Sequence, residues 1–105
     1  MIIAVDTGGT KTLIARFDNE GEPTVITKFP TPRDQQTYID SVTAAVKDAV
    51  GSEPVDAFVI ALPGPIRRGI LQRSPNIGWQ QFDVVAAMKQ HFPDSLVAIS
   101  NDADL

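Results

Sequence analysis

The chain has 105 residues, of which 43% are hydrophobic and 21% are charged, and its formal net charge is −4. This length and composition predict one soluble globular domain with a core of its own. The negative charge, and the lack of a basic run longer than Arg67-Arg68, argue against nucleic acid or an anionic membrane as the main partner.

The first predicted elements are three short strands. Residues 2–6 are mostly apolar, and residues 12–18 alternate between apolar and polar, which is the period of a half-buried strand. A turn cluster at residues 19–22 precedes a third alternating segment at 24–29. Short connections between neighbouring strands predict an antiparallel meander.

The turn between the first two strands is rich in glycine and hydroxyl residues and reads Asp6-Thr7-Gly8-Gly9-Thr10-Lys11-Thr12. Adjacent glycines allow φ > 0 and bring bare backbone N–H groups close to an anion, while the threonines and the lysine add donors and positive charge. A phosphate is the expected ligand, and a carboxylate beside it suits hydrated Mg²⁺. The competing interpretation is an ordinary Gly-Gly hairpin turn. A Walker loop does not fit, because a strand pattern follows where that loop needs a helix.

The middle of the chain predicts a helix and then a buried strand. Apolar residues recur at spacings of three and four from Tyr38 to Val50, and Gly51 follows as a helix stop. Residues 55–62 are almost continuously apolar, which is typical of a central parallel strand covered on both faces.

Residues 63–80 are rich in turn formers and predict a loop region with room for a small hairpin. In that region Trp79 is expected to be a loop-packing residue rather than a platform that stacks on a sugar. Asp83 is placed to cap a helix that runs from Val84 to Phe92, and Pro93 stops it. A last strand is predicted at residues 96–99, followed by Ser100-Asn101-Asp102.

This order of elements is that of a ribonuclease-H-like half-domain. We therefore predict an α/β fold with a mixed sheet of three antiparallel and two parallel strands and with helices packed on it. That half-domain has one more helix after its last strand, and the sequence ends where the helix is expected to begin. An uncovered, apolar sheet face is the expected consequence. Ligands of such sheets bind at the carboxyl ends of the strands, where Asp6 and Asp102 both fall.

Four segments carry a family resemblance. They are Asp6-Thr7-Gly8-Gly9-Thr10-Lys11-Thr12, Leu62-Pro63-Gly64-Pro65-Ile66, Pro75-Asn76-Ile77-Gly78-Trp79 and Asn101-Asp102-Ala103. In this order they resemble the N-terminal domain of a ROK-family sugar kinase, similar to glucokinase, in the actin and hexokinase superfamily. The resemblance extends over the whole chain. It implies that residues 1–105 form the N-terminal lobe of a two-lobe kinase, whose C-terminal lobe is absent here and whose lobes close over a sugar and ATP.

The resemblance also implies roles for individual residues. The glycine loop, with Asp6, Thr7, Gly8, Gly9, Thr10, Lys11 and Thr12, is expected to bind the phosphates of ATP. Asp102 is expected to bind the sugar and to act as the catalytic base, and Asn76 and Asn101 are expected to bind sugar hydroxyls. An amide suits this role because it both donates and accepts hydrogen bonds. Gly64 is expected to let the backbone approach the sugar.

The predicted function is therefore Mg²⁺- and ATP-dependent phosphorylation of a hexose at its primary hydroxyl. A cytoplasmic location is expected, because the sequence has no cysteine, no apolar stretch of membrane-spanning length and no leader segment. A homo-oligomer is expected as well. Glucose, fructose, mannose and their N-acetyl amines stay open as substrates. The alternative is a non-catalytic sugar- or nucleotide-binding or regulatory module of the same family. For Asn101-Asp102, the competing interpretation is that they only cap a helix.

Overall fold

The computed structural model describes residues 1–18 and 22–101. The described chain forms two sheets and two helices. In chain order the elements are β1 (Ile2–Thr7), β2 (Lys11–Phe17), β3 (Pro23–Pro30), α1 (Gln35–Val50), β4 (Ala57–Leu62), β5 (Ile66–Arg67), β6 (Ile70–Ser74), β7 (Trp79–Phe82), α2 (Val84–His91) and β8 (Leu96–Asn101).

The main sheet has five strands in the order β3-β2-β1-β4-β8. The strands β1, β2 and β3 pair antiparallel, whereas β4 pairs parallel with both β1 and β8. The predicted mixed sheet is therefore confirmed. The parallel register pairs Asp6 with Ala61 and Ala61 with Ser100, so the carboxyl ends of β1, β4 and β8 lie at one edge.

Both helices pack on the same face of this sheet. Alternate residues of the strands and one stripe of each helix belong to a single buried cluster, because a strand presents every second side chain to one face. Representative members from strands and helices are Ile3, Val5, Ile14, Phe58, Ile60, Val42, Val46, Val84 and Met88. Within residues 1–18 and 22–101, neither helix is long and apolar enough to cross a membrane.

The helix ends follow the local capping rules. Asp83 caps α2 by accepting a hydrogen bond from the Ala86 N–H, and Gly51 ends α1 with a φ of 61°, as the sequence predicts. The helix α1 begins earlier than its apolar pattern indicates, at Gln35. Its N-cap is Asp34, whose carboxylate accepts the Thr37 N–H at 2.9 Å.

The opposite face of the main sheet is not covered by a helix of the described residues. Val59, at the centre of β4, is 46% exposed, and Val25 and Leu96 are 61% and 71% exposed. The expectation that β4 is covered on both faces is therefore wrong for the part of the chain that the structure describes. The expected exposed apolar face is present instead.

The second sheet occupies the region that the sequence predicts to be loop. It contains β5, β6 and β7 in antiparallel order, so the loop prediction is wrong beyond its small hairpin. These strands are short and many of their residues are polar, which leaves little alternation to recognise. Their apolar residues Leu71, Trp79 and Phe82 are buried in the common core, and Trp79 packs inside the protein as expected.

Candidate functional site

The candidate site lies at the edge of the main sheet where β1, β4 and β8 end. The glycine loop follows β1, the segment with Gly64 follows β4, and Asn101 is the last residue of β8. A turn at residues 74–78 of the second sheet meets the glycine loop at this edge. The fold thus brings together Gly9 and Asn76 directly, and places Gly64 and Asn101 at the ends of adjacent strands.

The glycine loop is a tight hairpin turn. The Gly8 N–H donates to the Lys11 carbonyl at 2.9 Å, and a Cβ atom at Gly8 would lie 2.9 Å from that oxygen. Neither Gly8 nor Gly9 has a φ in the left-handed region, so the expectation of φ > 0 is wrong. Glycine is required here because other atoms approach it closely. Since the Gly8 amide is used in the turn, the candidate anion donors are the amides of Gly9 and Thr10.

Thr31, directly after β3, holds the glycine loop from the side. Its hydroxyl donates to the Gly8 carbonyl at 2.8 Å, and its N–H donates to the Thr10 carbonyl at 3.0 Å. The Thr12 hydroxyl lies 2.8 Å from the same Thr31 oxygen. Sequence reasoning missed Thr31. The signal is the register, because Lys11 pairs with Pro30 and the next residue must lie beside the loop.

Thr7 anchors the start of the loop in the core. Its buried hydroxyl lies 2.6 Å from the phenol oxygen of Tyr38, which is also fully buried. Burial raises the pKa of Tyr38 above its ordinary value of 10.0, so the phenol stays neutral at physiological pH. The hydroxyls of Thr7 and Thr12 are thus engaged within the protein. Their predicted role as phosphate ligands stays a prediction.

The turn at residues 74–78 presents Asn76 to the glycine loop. The Ser74 carbonyl accepts the N–H groups of Ile77 and Gly78 at 3.0 and 2.7 Å, and Gly78 has a φ of 92°. A Cβ atom at Gly9 would lie 3.3 Å from Cβ and 3.5 Å from Nδ2 of Asn76. The predicted phosphate loop and a predicted sugar ligand therefore approach each other closely.

Arg33, in the connection between β3 and α1, contacts the outside of this turn. Its Nη1 donates to the carbonyls of Asn76 and Ile77 at 3.1 and 3.4 Å. The Trp79 indole N–H donates to the Arg33 carbonyl at 2.8 Å. Sequence reasoning missed Arg33, because an isolated exposed arginine in a loop carries no pattern.

Gly64 lies against the second sheet. A Cβ atom there would lie 2.0 Å from the Arg73 carbonyl oxygen and 3.0 Å from Leu71 Cδ1. Packing on β6 is therefore a sufficient reason for glycine at this position, and its role in sugar binding stays a prediction.

Asn101 borders a cleft of about 420 Å³ that is also lined by Pro65, Ile66 and Ile99. This volume is within the usual range for small-molecule sites. The predicted catalytic base, Asp102, is the next residue along the chain and lies outside the described residues.

Asp6 lies one residue before the end of β1, at the same edge of the sheet, and is exposed. Among the residues that the structure describes, no cluster of three or more His, Cys, Asp or Glu side chains could hold a metal ion. A hydrated Mg²⁺ bound to nucleotide phosphates needs only one or two carboxylates. The residues present fit that kind of site, and Asp6 is the described carboxylate adjacent to the loop.

Sugar kinases are among the known proteins that this chain resembles. A glucokinase of Streptomyces coelicolor is 32% identical over 83 residues, which are 77% of this chain and 26% of the relative. A fructokinase of Pediococcus pentosaceus is 31% identical over 96 residues, covering 85% of this chain and 32% of the relative. The chain thus spans about a quarter to a third of the length of these relatives.

Solved structures agree with this result. A ROK family glucokinase from Streptomyces griseus, in complex with glucose and AMPPNP, superposes with a TM-score of 0.83 at 31% identity, over 97% of this chain and 33% of that one. A ROK family transcriptional regulator, a homologue of the E. coli MLC protein, superposes with a TM-score of 0.78 at 19% identity, over 96% of this chain and 27% of that one. At this identity the match shows only that the fold is shared.

The sequence match to the family has the same extent as the structural one. A ROK hexokinase from Thermus thermophilus superposes with a TM-score of 0.76 at 27% identity, over 97% of this chain and 35% of that one. With the glucokinase, it confirms the predicted α/β fold of the hexokinase type. The model of the ROK family matches residues 2–105, and the chain therefore belongs to the ROK family.

Proposed function

We propose that this chain is the N-terminal lobe of a two-lobe kinase that transfers the γ-phosphoryl group of ATP to the primary hydroxyl of a hexose. The observation that carries the proposal is the close approach of Gly9 and Asn76. It joins a glycine loop suited to phosphate with an amide suited to a sugar hydroxyl, which is the proximity that phosphoryl transfer requires. The similarity to glucokinases and a fructokinase supports the same reaction.

In the proposed reaction the chain supplies position, charge and a base. The amides of Gly9 and Thr10, with Lys11, would hold the phosphates, and Asn76 and Asn101 would orient the sugar. Asp102 would take the proton of the primary hydroxyl as its oxygen bonds to the γ-phosphorus. The bond from that phosphorus to the bridging oxygen breaks, and ADP leaves. Mg²⁺, held by the phosphates and Asp6, would offset the negative charge of the transferred group.

Glucose is the first substrate to test and fructose the second, because the relatives include glucokinases and a fructokinase. The test uses the complete protein that carries this chain, with ADP formation measured for each hexose in turn. The expected result is hexose-dependent ADP formation that requires ATP and Mg²⁺.

Replacing the proposed base isolates its role. Asp102→Asn should lower kcat by roughly a hundredfold or more while hexose binding measured by calorimetry is kept, since only proton transfer is lost. Asp104→Asn, two residues further along, is the matched control and should keep normal kcat. A near-normal kcat in Asp102→Asn would remove the assignment of this residue as the base.

The alternative is a module that binds a sugar or nucleotide without transfer. The glycine loop and the two asparagines could serve such binding equally well, and the fold is shared with a transcriptional regulator. Hexose binding without ADP formation by the wild-type complete protein would establish this alternative. The cytoplasmic location and the homo-oligomeric state stay predictions.

A further inference from the structure

We propose that Arg33 is a positioning residue that holds Asn76 in place for the hexose and thereby sets hexose affinity. This inference rests on the proposed function of Asn76 as a sugar ligand. Arg33 does not itself contact the sugar in this proposal. It acts through the backbone of the turn at residues 74–78.

The guanidinium group of Arg33 binds that backbone directly. It donates to the carbonyl of Asn76 itself at 3.1 Å and to the carbonyl of Ile77 at 3.4 Å. These are hydrogen bonds from a charged donor, which are stronger than those between neutral groups. Asn76 is exposed, so burial in the core does not fix its side chain.

Arg33 is itself fixed to the core. The Trp79 indole N–H donates to the Arg33 carbonyl at 2.8 Å, and Trp79 is only 2% exposed. The Trp79 and Tyr38 rings pack edge to face with centroids 4.8 Å apart. Because the indole is buried among other aromatic rings, its hydrogen bond anchors the backbone of Arg33, from which the side chain reaches the turn.

The connection between β3 and α1 therefore holds both loops of the site through different residues. Thr31 holds the glycine loop through the carbonyls of Gly8 and Thr10, and Arg33 holds the turn that carries Asn76. Loss of Arg33 should loosen the position of Asn76 in the turn at residues 74–78, while the glycine loop stays anchored. The expected defect is consequently in hexose binding rather than in ATP binding.

The test compares Arg33→Met, Arg33→Lys and the control Arg68→Met in the complete protein. Arg33→Met should weaken hexose binding in calorimetry and raise the hexose KM by about tenfold, because a small displacement of a ligand-holding group has large effects. Its kcat and its KM for ATP should change by less than about threefold. Arg33→Lys, which keeps a charged donor but not the planar fork, should recover part of the affinity. Arg68→Met, in the exposed β5–β6 turn, should behave as wild type.

The outcomes separate this inference from the proposed function. If wild type binds and phosphorylates hexose but Arg33→Met has an unchanged hexose Kd, the role of Arg33 is overturned while the proposed kinase function stands. Equal increases in the KM for hexose and for ATP would show general loosening of the fold and would also overturn it. If wild-type protein binds no hexose, both proposals fail. If Arg33→Met does not fold, Arg33→Lys is the deciding variant. A lowered melting temperature in Arg33→Lys, with a hexose Kd equal to that of wild type, would overturn the positioning role.

Discussion

At the scale of single residues, hydroxyl groups of the core differ in whether they have partners. Thr7 and Tyr38 satisfy each other across the core at 2.6 Å. Within the described residues, the buried hydroxyls of Thr43 and Ser74 have no hydrogen-bond partner. A buried hydroxyl without a partner loses its hydration and gains nothing in return, so these two positions lower the stability of the fold.

Replacing Thr43 by valine should therefore stabilise the domain. Thr43→Val keeps the shape of the side chain and removes the unsatisfied oxygen, so the free energy of unfolding in urea should rise by about 1 kcal/mol. The matched control is Thr37→Val in the same helix, because the Thr37 hydroxyl donates to Asp34 at 2.9 Å and its loss should not stabilise. Equal changes in the two variants would contradict this explanation.

At the scale of elements, the start of α1 depends on the ionised carboxylate of Asp34. The hydrogen bond from the Thr37 N–H, and then that from its hydroxyl, lower the pKa of Asp34 below its ordinary value of 3.8. A carboxyl group whose pKa is lower in the folded state stabilises the fold above the unfolded pKa. That contribution is lost as the pH falls through the folded value.

Asp34→Ala should accordingly lower the melting temperature at neutral pH, since it removes the N-cap of the helix. The difference in melting temperature between wild type and variant should shrink as the pH falls below 3.8. Calorimetric melting from neutral to acidic pH measures this difference. Asp48→Ala, an exposed aspartate near the other end of α1, is the control and should not destabilise at neutral pH. A pH-independent deficit in Asp34→Ala would show that the ionised carboxylate is not responsible.

At the scale of the whole molecule, the main sheet has one face that the described residues leave uncovered. An apolar groove on this face is lined by Leu13, Ala15, Phe17, Val25 and Val59. Exposed apolar patches of this kind on a soluble domain promote association. A second copy of the 105-residue chain, which carries the same face, is the occupant available in a purified sample.

The 105-residue polypeptide should therefore self-associate through this face or partly unfold in dilute solution. Sedimentation across a concentration series measures the association, and Val59→Lys should weaken it. The control Thr24→Lys, at an exposed polar position of β3, should leave it unchanged. A stable monomer at every concentration would contradict the prediction.

The same sample should show no phosphoryl transfer to any hexose, because the proposed reaction needs a second lobe to enclose the substrates and exclude water. Hexose phosphorylation by the purified polypeptide would overturn the two-lobe proposal.

The sequence by itself determined the features that depend on neighbouring residues. The alternation of β1 to β3 and the helical spacing of α1 and α2 are patterns of successive side chains. The cap at Asp83 and the stop at Gly51 use hydrogen bonds between residues a few positions apart. The family resemblance in four short segments is confirmed by the family match. The mixed sheet follows from the order of these elements.

Only the tertiary structure decided how the candidate site is assembled. Gly9 approaches Asn76, and hydrogen bonds from Thr31 and Arg33 hold the two loops, although these residues lie far apart in the chain. The exposure of Val59 likewise depends on how distant elements pack. Such contacts leave no periodic signal in the sequence. The glycines show the same limit, because a glycine required by close approach looks identical in sequence to one required by φ > 0, and only the positions of the surrounding atoms distinguish the two.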